Sequence, residues 1–363
     1  MIESIEKLAQ IVSVKMKKSS NVFLIGHNSP DFDSIASCIG LFVIAEAYGK
    51  KAYIIVDDDE STIEPGVKRI IDENRSVFRI IKKENFFKKV NGTSLLVVCD
   101  VNKKNMISIG DYVSKMSHVM VIDHHTEGED SIETPHKFIS QKASSASEIV
   151  SQVLERLNIP YSSDVANYLL SGISLDTKRF KQNTTAETHD VAVKLIEHGA
   201  DIDFVNNLFL EEFESFCRIS NLIINGTIIK KYSESLLAPI QVSFTLDRNH
   251  PEEIYMKEDY AKATDRMLKF NGIDASFALG YVEPGVIHIS ARGGKKVNVG
   301  LIMNEMGGGG NAQAAGGRII TNDIQSLEEE LMSKVPSGIS EEEKLVEEPK
   351  IIKVKQIKNK KEK

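Results

Sequence analysis

The fold of this protein is decided near its N-terminus by the stretch Val22-Phe-Leu-Ile25-Gly-His27-Asn-Ser-Pro-Asp31-Phe-Asp33. Its first residues are apolar without alternation, which is typical of a strand that is buried on both faces of a parallel sheet. The apolar pattern of residues 33–48, which stops at Gly49, predicts a helix directly after the stretch. A strand that leads into a helix favours a doubly wound α/β fold, in which helices cover both faces of a mostly parallel sheet.

Two later apolar runs predict further strands of the same sheet, at 94–99 and 118–122. Asp100 follows the first run, and Asp123-His124-His125 follows the second. Ligands of open α/β sheets bind beyond the carboxyl ends of the strands. We therefore expect these side chains to meet His27 in one crevice.

One more acid, Asp176, comes at the end of a helix that begins near residue 164. A helix dipole disfavours a negative charge at that end, so a nearby cation would explain the position. Any single acid of this kind could simply cap a helix or lie in solvent. The combination is more specific, and its members are His27, Asp31, Asp33, Asp100, Asp123, His124, His125 and Asp176.

So many carboxylates in one crevice would need cations to balance their charge. Imidazole together with carboxylate suits Mn, Fe, Zn or Co, and the excess of acids over histidines favours Mn²⁺. Cysteine is absent from the set, which argues against a structural zinc site. The sequence therefore predicts a two-metal centre, of the kind that holds a bridging hydroxide and polarises a phosphorus atom.

Length and composition limit the classes of function. A chain of 363 residues, 41% of them hydrophobic, can form two soluble globular domains. The net charge of -7 argues against the binding of long nucleic acids. Cys38, Cys99 and Cys217 are expected to be reduced thiols, and no apolar stretch is long enough to cross a membrane. We expect a cytoplasmic protein, and the sequence allows a homodimer.

The second half of the sequence has a different pattern, with short alternating strands around one helix at 258–270. It predicts a smaller α/β domain with a mixed sheet, whose strands are expected at 226–232, 239–246, 276–281 and 286–291. A single helix at 203–221 is expected to close the first domain. We place the first domain, a linker, the second domain and a disordered charged tail at 1–222, 223–238, 239–335 and 336–363.

A glycine-rich element marks the second domain as a ligand-binding unit. Arg292 ends a predicted strand, and Gly307-Gly-Gly-Gly310 follows a predicted helix at 297–306. Glycines let backbone N–H groups approach an anion closely, and an arginine offers a fork suited to phosphate. We expect a phosphate clamp in which residues 312–315 begin a helix, with the substrate in a cleft between the domains. The alternative is a flexible turn.

These residues carry a resemblance to a known family. The sequence resembles the DHH phosphoesterases in the four motifs His27-Asn-Ser-Pro-Asp31-Phe-Asp33-Ser34, Asp100, Asp123-His124-His125 and Ser174-Leu-Asp176-Thr. The region that contains residues 307–317 is similar to the DHHA1 domain that follows them. Residues 297–310 are most similar to the GdpP-type cyclic-di-AMP phosphodiesterases, and the nano-RNases and bifunctional oligoribonucleases are close relatives. The membrane helices and sensory domains of the GdpP type do not occur in this sequence, which favours either a stand-alone enzyme or an excised catalytic part.

The resemblance implies roles for individual residues. It implies one Mn²⁺ on His27, Asp31 and Asp100, and a second on Asp33, Asp100, His124 and Asp176. It implies a catalytic role for Asp100 as the bridge, for His125 near the scissile phosphate and for Asp123, which would orient the histidine pair. It implies that the substrate is bound by Arg292, Gly308, Gly309, Gly310 and Asn311. The family usually has a histidine where this chain has Asn311, a neutral amide that can form hydrogen bonds but cannot carry charge.

The function implied by the resemblance is Mn²⁺-dependent hydrolysis of cyclic-di-AMP to pApA, with AMP as a further product left open. An oligoribonuclease of very short substrates or a 3′-phosphoadenosine-5′-phosphate phosphatase is the alternative. A catalytically inactive nucleotide sensor is disfavoured because every predicted ligand is present. The expected partner is a cyclic dinucleotide or a very short oligonucleotide, and no organic cofactor is expected.

Overall fold

The protein divides into two compact units, Met1–Leu210 and Glu211–Lys363. The computed structural model describes residues 2–57, 63–128, 130–210, 213–229, 240–247 and 249–340. None of the helices in these ranges is long and apolar enough to cross a membrane.

A six-stranded sheet forms the centre of the first unit, and every strand pair in it is parallel. The strands are β1 (Asn21–Ile25), β2 (Lys51–Ile55), β3 (Ile80–Ile81), β4 (Leu95–Cys99), β5 (Val119–Asp123) and β6 (Lys137–Ile139). Their order across the sheet is β3-β2-β1-β4-β5-β6. The predicted doubly wound α/β fold is therefore confirmed, and β1, β4 and β5 end side by side.

Helices cover both faces of this sheet. They are α1 (Ile5–Lys18), α2 (Phe32–Ala47), α3 (Pro65–Asn74), α4 (Lys83–Phe87), α5 (Gly110–Val113), α6 (Ala146–Arg156), α7 (Ser163–Asp176), α8 (Ala186–Glu197) and α9 (Ile202–Leu208). Val22 and Leu24 of β1 pack with α2, α6 and α7 on one face, whereas Phe23 and Ile25 pack with α4 and α5 on the other. Burial on both faces explains why the strand is apolar without alternation.

The second unit is built around a mixed sheet, as predicted. Its strands are β7 (Thr227–Ile229), β8 (Val242–Thr245), β9 (Ala275–Glu283), β10 (Val286–Gly293), β11 (Gly309–Gly310) and β12 (Ala314–Ile320). Only β8 and β9 pair in parallel among the strands described, and the order is β11-β12-β10-β9-β8-β7. Its helices are α10 (Phe213–Ile224), α11 (Lys257–Met267), α12 (Val299–Glu305) and α13 (Ile324–Gly338). Helices α12 and α13 cover one face, and α10 and α11 cover the other.

The single helix expected at 203–221 was wrong, because α9 and α10 are separate helices in different units. Helix α10 packs on α11, where Asp259 accepts hydrogen bonds from Ser215 Oγ at 2.9 Å and from Arg218 Nε at 2.6 Å. The two units therefore meet in sequence at Leu210, upstream of the linker expected at 223–238.

Two expectations for the second unit also differ from the structure. Residues 312–315 do not begin a helix, since Ala314 already belongs to β12. At the C-terminus, α13 continues through Pro336 to Gly338, and Ile339 is buried, so the folded unit reaches further than 335. The rest of the tail expected to be disordered, 341–363, lies outside the described residues, as do residues 230–232 of the strand expected at 226–232.

Candidate metal centre

The carboxyl ends of three adjacent parallel strands bring the predicted ligands together. His27 follows β1, Asp100 follows β4, and Asp123 ends β5. Asp100 has a positive φ of 57°, a conformation that an aspartate tolerates better than most residues. Strained backbone of this kind persists where the surrounding structure fixes it, and such positions cluster at functional sites.

A first cluster consists of His27, Asp31 and Asp100. His27 Nε2 lies 3.6 Å from Asp31 Oδ2 and 3.4 Å from Asp100 Oδ2. The other ring nitrogen, Nδ1, is 2.8 Å from the carbonyl oxygen of Asn28 and must donate to it. That bond leaves the lone pair of Nε2 directed at the two acids when the ring is neutral.

Asp31 begins helix α2 as its N-cap, where its Oδ1 accepts a hydrogen bond from the backbone N–H of Ser34 at 3.0 Å. Because capping uses Oδ1, the second oxygen of Asp31 remains available to the cluster.

A second cluster shares Asp100 with the first and adds Asp33, His124 and Asp176. His124 Nε2 lies 3.4 Å from Asp100 Oδ1, 3.2 Å from Asp176 Oδ2 and 3.9 Å from Asp33 Oδ2. Asp176 is the last residue of α7, as predicted. The two oxygens of Asp100 thus face different clusters.

Asp33 is fully buried and is held by a helix that lies far away in sequence. Its Oδ2 accepts the backbone N–H of Ala146 and its Oδ1 accepts that of Ser147, both at 2.7 Å. These are the first donors of α6, whose N-terminus stabilises a negative charge.

Asp123 lies next to the clusters and accepts hydrogen bonds from both residues of the histidine pair. Its Oδ1 accepts hydrogen bonds from the backbone N–H groups of His124 and His125 at 2.8 and 3.2 Å, and lies 2.9 Å from His125 Nδ1. Its Oδ2 accepts a hydrogen bond from Asn102 Nδ2 at 2.6 Å. These donors leave the carboxylate little capacity to bind a metal, although Asp123 lies near Asp100 and His124.

The histidines of the two clusters are strongly basic. Burial alone would lower the pKa of His27, but the carboxylates of Asp100 and Asp31 raise it to about 11. Burial likewise opposes a raised pKa of His124, which Asp100 and Asp176 bring to about 11. In the protein without bound cations, both rings therefore carry a proton at neutral pH and partly balance the acids.

The acids of the two clusters also have shifted pKa values. Burial raises the pKa of Asp33 well above its usual value, and the negative charges of Asp100 and Asp176 raise it further. Burial would also raise the pKa of Asp100, but His124 and His27 lower it below its usual range. The cluster therefore depends on positive charge, which protons or metal ions can provide.

The donor atoms fit divalent metal ions. Asp100 Oδ1 and His124 Nε2 are buried and have no hydrogen-bond partner among the described residues. Buried polar atoms are normally paired. These two unpaired atoms lie 3.4 Å apart, so they are placed to bind the same metal ion. Imidazole and carboxylate are ligands of Mn, Fe, Zn and Co. The two clusters could hold metal ions.

The chain turns sharply after Asp176. Lys178, Arg179 and Phe180 all have positive φ, of 47°, 60° and 60°. Thr177 fixes this strained turn, since its hydroxyl donates to the carbonyl of Ile173 at 2.6 Å and accepts the N–H of Phe180 at 2.9 Å. No signal in the sequence indicated the turn.

In the second unit, the glycines form a hairpin in which β11 pairs with β12. Gly310 has a φ of 143°, and a Cβ added there would lie 2.4 Å from Ala315 Cα. A Cβ on Gly308 would lie 2.4 Å from the carbonyl oxygen of Gly316, whereas one on Gly309 would meet only Asn304 Oδ1, at 4.0 Å. Gly308 and Gly310 are therefore required by the hairpin, and Gly309 leaves an open surface.

Asn311 holds the turn of this hairpin. Its Oδ1 accepts the backbone N–H groups of Gln313 and Ala314 at 2.9 and 2.8 Å. The side-chain oxygen is thus occupied by the turn, and the amide Nδ2 is the part of Asn311 that can meet a ligand.

Arg292 lies beside the hairpin, because it pairs with Ala314 across β10 and β12. Its Nε donates to Asp265 Oδ1 at 2.9 Å, and its Nη1 donates to the carbonyl of Ala291 at 3.1 Å. The guanidinium is therefore held in one orientation by its neighbours. It retains N–H groups with which it could contact an anion.

Comparison with known proteins agrees with this architecture. The model of the DHH family, N-terminal domain, matches residues 21–173, and the model of the DHHA1 domain matches residues 240–335. The chain belongs to the DHH family. Its first unit carries the DHH domain and its second unit carries the DHHA1 domain, so the resemblance seen in the motifs is confirmed.

Two of the relatives carry names with different substrates. The cyclic-di-AMP phosphodiesterase GdpP of Bacillus subtilis is 33% identical over 316 residues, which cover 84% of this chain and 46% of GdpP. The bifunctional oligoribonuclease and PAP phosphatase NrnA of Thermus thermophilus is 24% identical over 332 residues, which cover 91% of this chain and 94% of NrnA. This chain spans about half of GdpP and nearly all of NrnA.

One solved structure supports the fold. An exopolyphosphatase-related protein from Bacteroides fragilis matches with a TM-score of 0.73 at 20% identity, covering 91% of this chain and 97% of that protein. At this identity the match shows a shared fold.

The structure brings together every predicted ligand in the first unit and adds residues that the sequence did not indicate. The added residues are Asn102, which bonds Asp123, and Gly172 of α7, which packs against Asp33. Asn102 comes two positions after Asp100, and that spacing was its only signal in the sequence.

Proposed function

We propose that this protein is a metal-dependent phosphodiesterase that hydrolyses cyclic-di-AMP to linear pApA. One observation carries the proposal, namely two clusters of metal-ligating side chains that share Asp100 within a DHH domain. The 33% identity to GdpP over 84% of the chain supports the choice of substrate.

The proposed metals are two Mn²⁺ ions. His27, Asp31 and Asp100 would hold one, and Asp33, Asp100, His124 and Asp176 would hold the other. Ions bound there would activate water and stabilise the charge that develops on the phosphate. Asp33 is suited to its role because the N-terminus of α6 fixes both of its oxygens.

In the proposed reaction, a water molecule gives up a proton to the solvent as its oxygen bonds to phosphorus, and the bond from phosphorus to the 3′ oxygen breaks. The 3′ oxygen then takes a proton, which leaves a 5′-phosphate and a 3′-hydroxyl. His125 is the proposed proton donor, since Asp123 holds its Nδ1 at 2.9 Å and its side chain is 57% exposed. The hydrogen bond to Asp123 also raises the pKa of His125, against the effect of burial, which favours the protonated ring that a proton donor needs.

The second unit would bind the nucleotide. The open surface at Gly309, the amide of Asn311 and the oriented guanidinium of Arg292 are proposed to contact its phosphates or base. Gly308 and Gly310 would contribute by shaping the hairpin.

The test is a substrate panel with purified protein and Mn²⁺. Cyclic-di-AMP, cyclic-di-GMP, pApA, pGpG and 3′-phosphoadenosine-5′-phosphate are incubated separately, and the products are separated by chromatography. We expect cyclic-di-AMP to be consumed with pApA as the first product, and the Asp100→Asn variant to leave it intact. Intact cyclic-di-AMP in the presence of degraded linear substrates would overturn the substrate choice.

A second candidate function has its own support. NrnA of Thermus thermophilus matches over 94% of its length, so it has the two-domain extent of this chain. A short-oligonucleotide exonuclease or PAP phosphatase would therefore degrade pApA or phosphoadenosine phosphate faster than cyclic-di-AMP. The same panel distinguishes the two candidates by the ratio of initial rates.

A further inference from the structure

Asn102 has a buried side chain and belongs to neither ligand cluster. It donates a hydrogen bond to Asp123, the residue that holds the ring of His125. Asn102 lies two positions beyond Asp100 and is 2% exposed. We infer that Asn102 is a positioning residue, which fixes His125 through Asp123 for proton transfer to the leaving oxygen. This inference rests on the proposed function.

The amide of Asn102 faces Asp123 in a defined orientation. Its Nδ2 donates to Asp123 Oδ2 at 2.6 Å and to the carbonyl oxygen of His125 at 3.3 Å. Both partners can only accept, so the NH₂ group and not the oxygen must face them. The short distance to the carboxylate is typical of a charge-assisted hydrogen bond.

The opposite side of Asn102 is equally fixed. Its Oδ1 accepts the hydroxyl of Ser131 at 3.1 Å, and its backbone carbonyl accepts the N–H of Ile132 at 2.6 Å. Within the part of the chain that the structure describes, the side-chain partners of Asn102 therefore lie in the segment that begins with Asp123 and ends with Ser131. Asn102 connects the end of β4, next to Asp100, to the segment that carries the histidine pair.

The consequence for His125 follows from the bonds of Asp123. Three donors converge on Asp123 Oδ1, and the third is the ring nitrogen of His125. Among the described residues, Asn102 is the donor that bonds Asp123 Oδ2. Without this bond the carboxylate of Asp123 can rotate. The half-exposed ring of His125 is then no longer held in one orientation. The hydrogen bonds of the Asn102 side chain go to Asp123, to the carbonyl of His125 and to Ser131, none of which is a ligand of either cluster, so metal binding should be affected less than His125.

The test compares substrates with different leaving groups. A nucleoside 3′ oxygen needs a proton as it leaves, whereas the nitrophenolate of bis(p-nitrophenyl) phosphate does not. In Asn102→Ala we expect kcat on the dinucleotide that the wild type cleaves to fall about 10- to 100-fold with KM nearly unchanged. On bis(p-nitrophenyl) phosphate the loss should be less than about threefold. Equal losses on both substrates would refute the inference, because a general structural defect affects both.

Two further variants distinguish a specific effect on His125 from a general folding defect. Asn102→Asp keeps the size of the side chain but places a second carboxylate against Asp123, and it should show the same selective loss. Ser131→Ala removes the bond to Asn102 Oδ1 and the bond from the N–H of Gly128, but it leaves both bonds of Asn102 Nδ2 in place, so it should lower kcat by less than Asn102→Ala does. A loss in Ser131→Ala as large as that in Asn102→Ala would contradict the assignment.

A double-variant cycle identifies the residue through which Asn102 acts. His125→Ala alone should lower kcat on the dinucleotide, and adding Asn102→Ala should lower it no further. Additive losses would overturn the inference. Failure of the proposed function looks different, since the wild type would then leave cyclic-di-AMP intact, while the selective loss in Asn102→Ala would still appear on the linear dinucleotide that the wild type cleaves.

Discussion

Gly172 of α7 lies against Asp33 of α2 so closely that a Cβ added at Gly172 would be 2.8 Å from Asp33 Oδ1. The same Cβ would lie 2.3 Å from the hydroxyl oxygen of Ser147, the residue whose N–H binds that carboxylate. Helices α2, α6 and α7 therefore meet at Asp33, and the absence of a side chain at Gly172 allows the contact.

Replacing Gly172 by Ala should lower both stability and metal affinity. In an unconstrained helix the change would stabilise by about 1 kcal/mol, but here the methyl group must displace Asp33 or Ser147. We expect destabilisation by about 1–3 kcal/mol, measured by urea unfolding. Mn²⁺ affinity, measured by titration calorimetry, should fall at the same time.

Gly40→Ala is the matched control for that variant. A Cβ at Gly40 would crowd Val150 and Leu169, at 2.5 and 3.2 Å, but would not contact an acid of the clusters. It should destabilise the protein and leave the metal affinity near that of the wild type. Equal losses of metal affinity in both variants would contradict a specific effect on Asp33.

Replacing Asp100 by Asn should abolish activity without unfolding the protein. The positive φ of 57° is tolerated by asparagine, and removing a charge from a crowded group of acids should not destabilise the metal-free fold. Because Asp100 belongs to both clusters, we expect weaker binding of metal at both and a fall in kcat of about 100-fold or more. Asp190→Asn, at an exposed position of α8, is the control and should behave as wild type. Wild-type affinity for Mn²⁺ in Asp100→Asn would exclude the bridging role.

Metal binding should release protons and become tighter as the pH rises. His27 and His124 have pKa values raised to about 11, so both are protonated at pH 7 and must lose a proton to bind a metal. The apparent affinity should rise by up to about tenfold per pH unit for each proton displaced. Titration calorimetry at pH 7 and 8, in buffers with different ionisation enthalpies, measures both quantities. An affinity that is independent of pH would contradict the displacement, and His27→Gln should release fewer protons than the wild type.

The two central glycines of the hairpin should respond differently to substitution. Gly310→Ala forces a methyl group against Ala315 in a backbone conformation that alanine rarely adopts, and should cost about 1–3 kcal/mol. Gly309→Ala meets only Asn304 Oδ1, at 4.0 Å, and should change the free energy of unfolding by less than about 0.5 kcal/mol. Denaturant unfolding of the two variants gives the comparison. A similar loss in both would mean that the hairpin differs from the one described.

The sequence predicted the long elements of the fold better than the short ones. Strands β1, β4 and β5 were evident because burial on both faces leaves a continuous apolar run. Strand β3 has two residues and β6 has three, which is too short for a pattern to emerge. The helix expected from residue 312 was wrong because Ala314 pairs with Arg292 of β10, a long-range contact that overrides local helix propensity.

The sequence by itself determined which acids and histidines share an edge of the sheet. Each follows a strand or ends a helix, and in a parallel sheet the strand ends coincide, so local pattern and topology are sufficient. Only the tertiary structure decided what holds those side chains. Asp33 accepts hydrogen bonds from two residues that are separated from it by 113 and 114 positions in the sequence. Asn102, which follows β4, bonds Asp123 at the end of β5, and Gly172 makes room for the carboxylate of Asp33 on another helix. Such contacts depend on how helices and strands pack in three dimensions, and no local pattern encodes them.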